Sequence, residues 1–291
     1  MPYFSISGGV PLSGCCRIHG AKNAVLPILA AAVLTRKPVR LLDVPELTDV
    51  SNMCKILRLL GCRVAREGAA LLIDGADADC FALPEDLSKE LRSSIFLLGP
   101  VLGRFRQAVV TYPGGCEIGN RPIDLHLKGL SALQAQIVEE GGRIRCDGGS
   151  LTGATIHLDY PSVGATENIM MAATAADGET VIKNAAREPE IVDLQSFLNA
   201  AGFSVRGAGS STVVIRGGCE PREVSFRIMP DRIVTGTVLA AAAITGGSVT
   251  VENVCPEHLS GTLAKLEEAG CALTLYYRAI RLAAPDQLHA G

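Results

Sequence analysis

A single cysteine lies in a glycine-rich stretch that is followed by an arginine and an aspartate. Cys116 comes directly after Gly114 and Gly115, and Arg121 and Asp124 follow it. Glycines let a backbone turn sharply and approach a ligand closely. A thiol acts as a nucleophile or acid when a nearby cation or helix N-terminus lowers its pKa. Arg121 and a helix that begins near Asp124 would provide both, but a structural turn that contains a cysteine explains the local sequence equally well.

Cations also precede several apolar stretches. Lys22 and Asn23 open one such stretch, Arg92 a second and Arg232 a third. A helix dipole disfavours a cation at the N-terminus, whereas a bound phosphate there would be held by the cation and the helix N–H groups together. For Lys22 the alternative is a surface lysine whose stem packs on apolar residues. Ser162 precedes the remaining stretch, where it suits either a phosphate or an ordinary helix cap.

A repeat of about 70 residues organises these stretches. Its first strands begin near Val39, Val109, Val181 and Val249. Each unit reads helix, strand, helix, strand, strand. The first helix of each unit is apolar nearly all round, which predicts burial on every side. These helices are predicted over residues 23–34, 94–102, 165–176 and 233–244.

The second helix of each unit is amphipathic and is predicted to end at a glycine in the left-handed conformation. The four glycines are Gly61, Gly141, Gly202 and Gly270. About six residues join the strand to this helix in three of the units. In the second unit the junction extends over residues 112–123 and contains Cys116. A loop that differs from its repeats in this way indicates a functional site.

Composition excludes several classes of protein. The 291 residues are 48% hydrophobic and 20% charged with a net charge of −3, which disfavours binding to nucleic acid or a membrane surface. The ten cysteines contain no CxxC pair, and no signal peptide is visible, so we expect a cytoplasmic protein with reduced thiols. The five histidines form no spaced pair, and no nucleotide-binding motif is present. We therefore expect no metal and no cofactor.

Several motifs together resemble the UDP-N-acetylglucosamine 1-carboxyvinyltransferase family. They occupy residues 20–23, 113–116, 121–126, 162–166 and 184–190. The family is similar in fold to the shikimate-pathway enolpyruvyl transferases, from which the cysteine-bearing loop distinguishes it. The resemblance implies an α/β fold, an inside-out α/β barrel. It also implies transfer of enolpyruvate from phosphoenolpyruvate to the 3′-hydroxyl of UDP-N-acetylglucosamine, the first committed step of peptidoglycan synthesis.

The resemblance also implies roles for individual residues. Lys22 and Asn23 would contact phosphoenolpyruvate, and Arg121 would neutralise its phosphate. Cys116 would act as general acid on the methylene carbon, and the inhibitor fosfomycin would alkylate it. The residues that would face the UDP-sugar are Arg92, Arg121, Pro122, Ile123, Asp124, Leu125, Tyr160, Pro161, Ser162 and Val163.

The resemblance further implies two domains. Residues 22–229 would form a complete domain of three repeats, and residues 1–21 with 230–291 would form part of a second. On the order of 130 residues of that second domain would be absent, including the aspartate that takes the 3′-hydroxyl proton. We therefore expect the chain alone to be inactive. Two alternatives remain open: a non-catalytic UDP-sugar-binding protein that regulates or pairs with a full-length copy, and complementation by a separate chain. The sequence leaves the oligomeric state undetermined.

Overall fold

The computed structural model describes residues 3–5, 7–83, 92–112 and 123–289. The chain forms two compact units. The large unit is Lys22–Met229, and the small unit combines Met1–Ala21 with Pro230–Gly291. The chain therefore leaves the small unit once, before Lys22, and returns to it after Met229.

The described helices and strands follow one another as the repeat predicts. In chain order they are β1 Ser13–Arg17, α1 Lys22–Thr35, β2 Val39–Leu42, α2 Thr48–Leu59, β3 Arg63–Glu67, β4 Ala70–Asp74, a 3-10 helix Arg92–Leu97, α3 Leu98–Phe105, β5 Gln107–Thr111, α4 Asp124–Ala132, β6 Gln136–Glu140, β7 Arg143–Asp147, β8 Thr155–His157, α5 Val163–Ala173, β9 Glu179–Lys183, α6 Pro189–Ala200, β10 Ser204–Arg206, β11 Thr212–Arg216, β12 Val224–Arg227, α7 Arg232–Ile244, β13 Ser248–Glu252, a 3-10 helix Pro256–Leu259, α8 Ser260–Glu268, β14 Ala272–Tyr276 and β15 Ala279–Ala283.

Each repeat forms its own antiparallel sheet, in which the first strand lies beside the third. The orders are β2-β4-β3, β5-β7-β6, β9-β11-β10 and β13-β15-β14. A further strand joins three of these sheets in parallel. β8 pairs with β9, β12 with β2, and β1 with β13. The strand that precedes α1 thus belongs to the sheet of the small unit, and the strand that precedes α7 belongs to a sheet of the large unit.

The helices α1, α3 and α5 form the centre of the large unit, where they pack against one another. Every residue of α1 from Ala24 to Thr35 is buried, and so is every residue of α5 from Ala165 to Ala173. Alanine, leucine and valine all round each helix leave no polar face, so such helices are stable only inside the protein. The sheets and the amphipathic helices surround them, which confirms the predicted inside-out α/β arrangement.

Three strands are followed directly by a residue with left-handed backbone conformation. Asp43, Asn184 and Asn253 have φ values of 58°, 55° and 55°. Asp and Asn tolerate this conformation because their short polar side chains form local hydrogen bonds. The Asn184 side chain also donates to the carbonyl of Leu158, which directly follows β8, at 2.9 Å. These residues turn the chain from the first strand of each unit toward its amphipathic helix.

The predicted helix end at Gly141 is wrong. Gly61, Gly202 and Gly270 follow their helices with φ values of 95°, 100° and 93°, as predicted. In the second repeat α4 is short, and Gln134 takes the left-handed position with φ 72°. Gly141, with φ 58°, instead lies in the turn between β6 and β7. The sequence predicts helix for the residues before it, but they pair with β7.

Burial on every side is also wrong for α7 in the small unit. Thr235, Leu239, Ala242 and Ala243 are buried, whereas Ile233 and Ile244 are 51% and 78% exposed. Within the described part of the small unit, the packing partners of α7 are β13, β15, α8 and the 3-10 helix Pro256–Leu259. These elements cover one face of α7.

Candidate functional site

The helices α3 and α5 run parallel in the large unit. The Gly99 N–H of α3 donates to the side-chain oxygen of Asn168 in α5 at 2.7 Å. Four residues further along α3, a Cβ on Gly103 would lie 3.2 Å from the Cβ of Ala175. Residues later in α3 thus contact residues later in the α5 region, as parallel helices require. The N-termini of α5 and of the Arg92–Leu97 helix therefore lie at the same end of the large unit.

The helix α1 runs parallel to this pair. Its C-terminal turn meets that of α3, because the Arg104 guanidinium donates to the Val33 carbonyl at 2.7 Å. α1 also packs against the 3-10 helix Arg92–Leu97, which directly precedes α3. Since α1 contacts both the start and the end of this helical segment, the two run in the same direction. Lys22, Arg92 and Val163 therefore begin three parallel helices at one end of the large unit. We call this the N-terminal end.

At the N-terminal end, Lys22 and Asn23 are exposed on the first turn of an otherwise buried helix. The Lys22 ammonium lies 3.1 Å from the Asp49 carboxylate, with 46% and 39% of the two side chains exposed. Asp49 belongs to the first turn of α2, where a carboxylate is favoured by the helix dipole. The lysine is thus held by an acidic neighbour and can still reach solvent. Asp49 was not singled out from the sequence, although its place in the first turn of an amphipathic helix is a usable signal.

The segment Ile123–Leu125 leads into α4. Ile123 caps the helix, Asp124 is its first residue, and the side chains of Ile123 and Leu125 are buried. Asp124 is exposed. A ligand contact from Ile123 or Leu125 would therefore come from the backbone, whereas Asp124 offers its side chain.

The segment Tyr160–Val163 leads into α5. Tyr160 is 47% exposed and Pro161 is also exposed. Ser162 caps α5: its hydroxyl accepts from the Ala165 N–H at 3.4 Å. The preceding Asp159 carboxylate accepts from the Lys128 ammonium of α4 at 2.7 Å. The capping interpretation of Ser162 is thus confirmed, and the segment is tied to α4.

Five further residues were predicted from the sequence as candidates for a site. Cys116, Arg121 and Pro122 lie outside the described residues. Arg92 begins its 3-10 helix at the N-terminal end. Arg232 begins α7 in the small unit.

Two buried titratable groups lie near the N-terminal end, and sequence patterns did not identify them. Burial lowers the pKa of His126 to about 4, against an opposing effect of the Asp124 charge. Burial, with smaller contributions from Glu190 and Glu188, raises the pKa of Glu167 well above its usual value. Neither Glu167 oxygen has a hydrogen-bond partner within the described part of the chain. The His126 ring is therefore neutral at pH 7, and Lys22 and Asp49 form a charged pair that this end exposes.

Among the described residues, no group of three or more His, Cys, Asp or Glu could hold a metal ion. No helix among them is long and apolar enough to cross a membrane.

Comparison with known proteins identifies the family. A model of the EPSP synthase (3-phosphoshikimate 1-carboxyvinyltransferase) family matches residues 6–288. The chain belongs to this family.

Curated relatives match nearly the whole chain. The chain is 50% identical over 273 residues to UDP-N-acetylglucosamine 1-carboxyvinyltransferase 2 of Caldanaerobacter subterraneus subsp. tengcongensis. This match covers 94% of this chain and 66% of the relative. It is 46% identical to UDP-N-acetylglucosamine 1-carboxyvinyltransferase of Halothermothrix orenii, covering 100% of this chain and 70% of the relative. The chain thus spans about two thirds of the length of the curated relatives it matches.

Solved structures of two enzymes share the fold. The enolpyruvyl transferase NikO from Streptomyces tendae superimposes with a TM-score of 0.86 at 22% identity, covering 97% of this chain and 68% of that one. EPSP synthase from Acinetobacter baumannii superimposes with a TM-score of 0.72 at 21% identity, covering 95% and 65%. These comparisons confirm the family and the fold that the motifs predicted.

Proposed function

We propose that this chain takes part in the transfer of enolpyruvate from phosphoenolpyruvate to the 3′-hydroxyl of UDP-N-acetylglucosamine. The observation that carries the proposal is the identity of 46% to 50% with relatives of that name over nearly the whole chain. The alignment of three helix N-termini at one end of the large unit supports it, because such ends attract the phosphate groups that both substrates carry.

The residues are suited to the reaction. The Cys116 thiol would protonate the methylene carbon of phosphoenolpyruvate while the sugar 3′-oxygen bonds to C2 and its proton passes to a general base. The methyl group would then return a proton to the Cys116 thiolate. The bond between C2 and the phosphate oxygen would break, and inorganic phosphate would leave. Lys22 and Arg121 would neutralise the phosphate, with Asn23 beside it. The UDP-sugar would lie along Arg92, the segment 121–125 and the segment Tyr160–Val163.

Binding without turnover is the second candidate function. The match covers 66% of the relative from Caldanaerobacter subterraneus subsp. tengcongensis, and an activity assay on this chain tests whether the matched part suffices for turnover. In this second function the large unit would bind UDP-N-acetylglucosamine and the chain would act on, or beside, another polypeptide.

Calorimetry and a phosphate-release assay test both candidates. We expect saturable binding of UDP-N-acetylglucosamine and no binding of shikimate 3-phosphate, the acceptor that the family description names. Phosphate release that requires both substrates and disappears in Cys116→Ala would establish transfer by this chain. Binding without release would establish the second function. Absence of binding would overturn the proposal.

Further properties follow from the same proposal. We propose a cytoplasmic location and a role in peptidoglycan synthesis, and through it in cell shape and division. We also propose that fosfomycin alkylates the Cys116 thiol, which mass spectrometry of the treated chain would detect as an adduct on the peptide that contains Cys116.

A further inference from the structure

A buried amide links three elements behind the N-terminal end. Asn168, in the second turn of α5, is fully buried. Its side-chain oxygen accepts from the Gly99 N–H at 2.7 Å. Its nitrogen lies 2.8 Å from the Ile95 carbonyl and 2.8 Å from Nδ1 of His126. One side chain thus connects α5 with α4 and with the junction between the 3-10 helix Arg92–Leu97 and α3.

The two backbone partners fix the orientation of the amide. The Gly99 N–H can only donate, so it must face the oxygen, and the Ile95 carbonyl can only accept, so it must face the nitrogen. The same nitrogen therefore donates to Nδ1 of His126. It follows that the neutral His126 ring carries its proton on Nε2, because the hydrogen bond at one ring nitrogen decides which nitrogen is protonated.

Glycines bring the backbones into contact around this amide. A Cβ on Gly99 would lie 2.3 Å from the Asn168 carbonyl oxygen, and one on Gly129 would lie 2.2 Å from the Ile169 side chain. A Cβ on Gly164 would lie 3.2 Å from Nε2 of His126. Contacts this short leave no room for the elements to shift independently. The hydrogen bonds therefore fix relative position rather than fill space.

Each linked element carries a segment assigned to the UDP-sugar. Ile95 is three residues from Arg92, and His126 directly follows Leu125. The α5 helix begins at Val163. We propose that Asn168 is a positioning residue, which holds these three segments in the mutual geometry that UDP-N-acetylglucosamine requires. The proposal rests on the proposed function, and Asn168 itself need not touch the ligand.

An Asn168→Asp variant tests the proposal with little change in side-chain volume. The introduced acid carries at most one proton in place of the two amide hydrogens, so it can accept from the Gly99 N–H but cannot donate to both the Ile95 carbonyl and Nδ1 of His126. We expect affinity for UDP-N-acetylglucosamine, measured by calorimetry, to fall roughly tenfold or more, because small displacements of binding groups are costly. We also expect nitrogen NMR of the histidine rings to show that the His126 proton has moved from Nε2 to Nδ1.

A Thr174→Val variant is the matched control. Thr174 is also buried, and its hydroxyl donates within the same helical region to the Met171 carbonyl at 2.7 Å. Within the described part of the chain, this hydroxyl bond joins no second element. We expect the control to lower the melting temperature but to leave the dissociation constant within about twofold of the unmodified chain.

The outcomes separate the two proposals. Weaker binding and a moved proton in Asn168→Asp, with unchanged binding in Thr174→Val, would support the positioning role. Unchanged affinity in Asn168→Asp, together with unchanged affinity in a folded Asn168→Ala variant, would overturn it. Absence of binding by the unmodified chain would overturn the proposed function and, with it, the role that rests on it.

Discussion

At the two ends of the central helices in the large unit, cations occupy opposite environments. At the C-terminal end, Arg104 is 9% exposed, and its guanidinium donates to the carbonyls of Val33, Gly75 and Ala78 at 2.7, 2.5 and 3.0 Å. At the N-terminal end, Lys22 is half exposed and pairs with Asp49. Carbonyls at a helix C-terminus attract a cation, whereas the N–H groups at an N-terminus repel it.

The difference shows how to tell a structural cation from a functional one. Arg104 satisfies backbone acceptors that burial would otherwise leave unpaired, so its position is explained by stability alone. Lys22 occupies a position that the helix dipole disfavours, and its ion pair with Asp49 is exposed enough to contribute little. A bound anion would explain Lys22 better than folding does. Four experiments probe the two ends.

The largest effect is expected at Arg104. Replacing Arg104 by Met should lower the free energy of unfolding by about 3–5 kcal/mol, because three buried carbonyls lose a charged donor. Denaturant unfolding would measure the loss. Arg104→Lys, which keeps the charge but not the planar fork, should lose less. A change below about 1 kcal/mol in Arg104→Met would show that water replaces the guanidinium without cost, and the comparison would fail.

The next effect depends on pH and concerns His126. Its pKa is about 4 in the folded chain, against 6.5 for a histidine in water. Between these values the unfolded chain binds more protons, so the free energy of unfolding should fall as pH is lowered from about 6.5 to about 4. The difference corresponds to about 3 kcal/mol.

Denaturant unfolding at pH 7, 5.5 and 4.5 would measure this fall, with His126→Gln as the control. Glutamine can accept from Asn168 but does not titrate. The variant should therefore show a smaller loss of stability over the same range. An identical slope in both chains would assign the acid sensitivity to other groups.

At Lys22 we expect the effect on binding to exceed the effect on stability. Lys22→Met should change the free energy of unfolding by less than about 1 kcal/mol. Affinity for phosphoenolpyruvate in the presence of UDP-N-acetylglucosamine should fall by roughly 30- to 150-fold, the value of a charged hydrogen bond of about 2–3 kcal/mol. Calorimetry would measure the affinity, and Lys22→Arg should retain more of it. A large loss of stability with unchanged affinity would reverse the assignment of the two ends.

The smallest effect is expected at Asp49. Asp49→Asn removes the ion pair with Lys22 while keeping the size of the side chain. We expect a loss of about 0–1 kcal/mol in the free energy of unfolding, which should shrink in about 1 M salt because exposed charges are screened. Unfolding curves at low and high salt would measure it. A loss that is larger and independent of salt would mean that the pair is effectively buried.

The sequence by itself determined the repeat and most of its elements. The apolar composition of α1 and α5 predicted their burial in the large unit, and the glycines at Gly61, Gly202 and Gly270 mark helix ends because only a residue without Cβ adopts that conformation freely. Long motifs identified the family. These features follow from the period and chemistry of neighbouring residues, so they can be recognised without knowing what lies opposite.

The tertiary structure decided what depends on contacts between distant residues. Gln134 replaces the expected glycine because residues 136–140 pair with β7. The exposed face of α7 cannot be inferred from its composition, since burial depends on what packs against it. The pairing of Lys22 with Asp49, and the three bonds of Asn168, join residues that local patterns treat separately. The sequence proposed the residues of the site, and the parallel packing of α1, α3 and α5 placed their helix starts at one end.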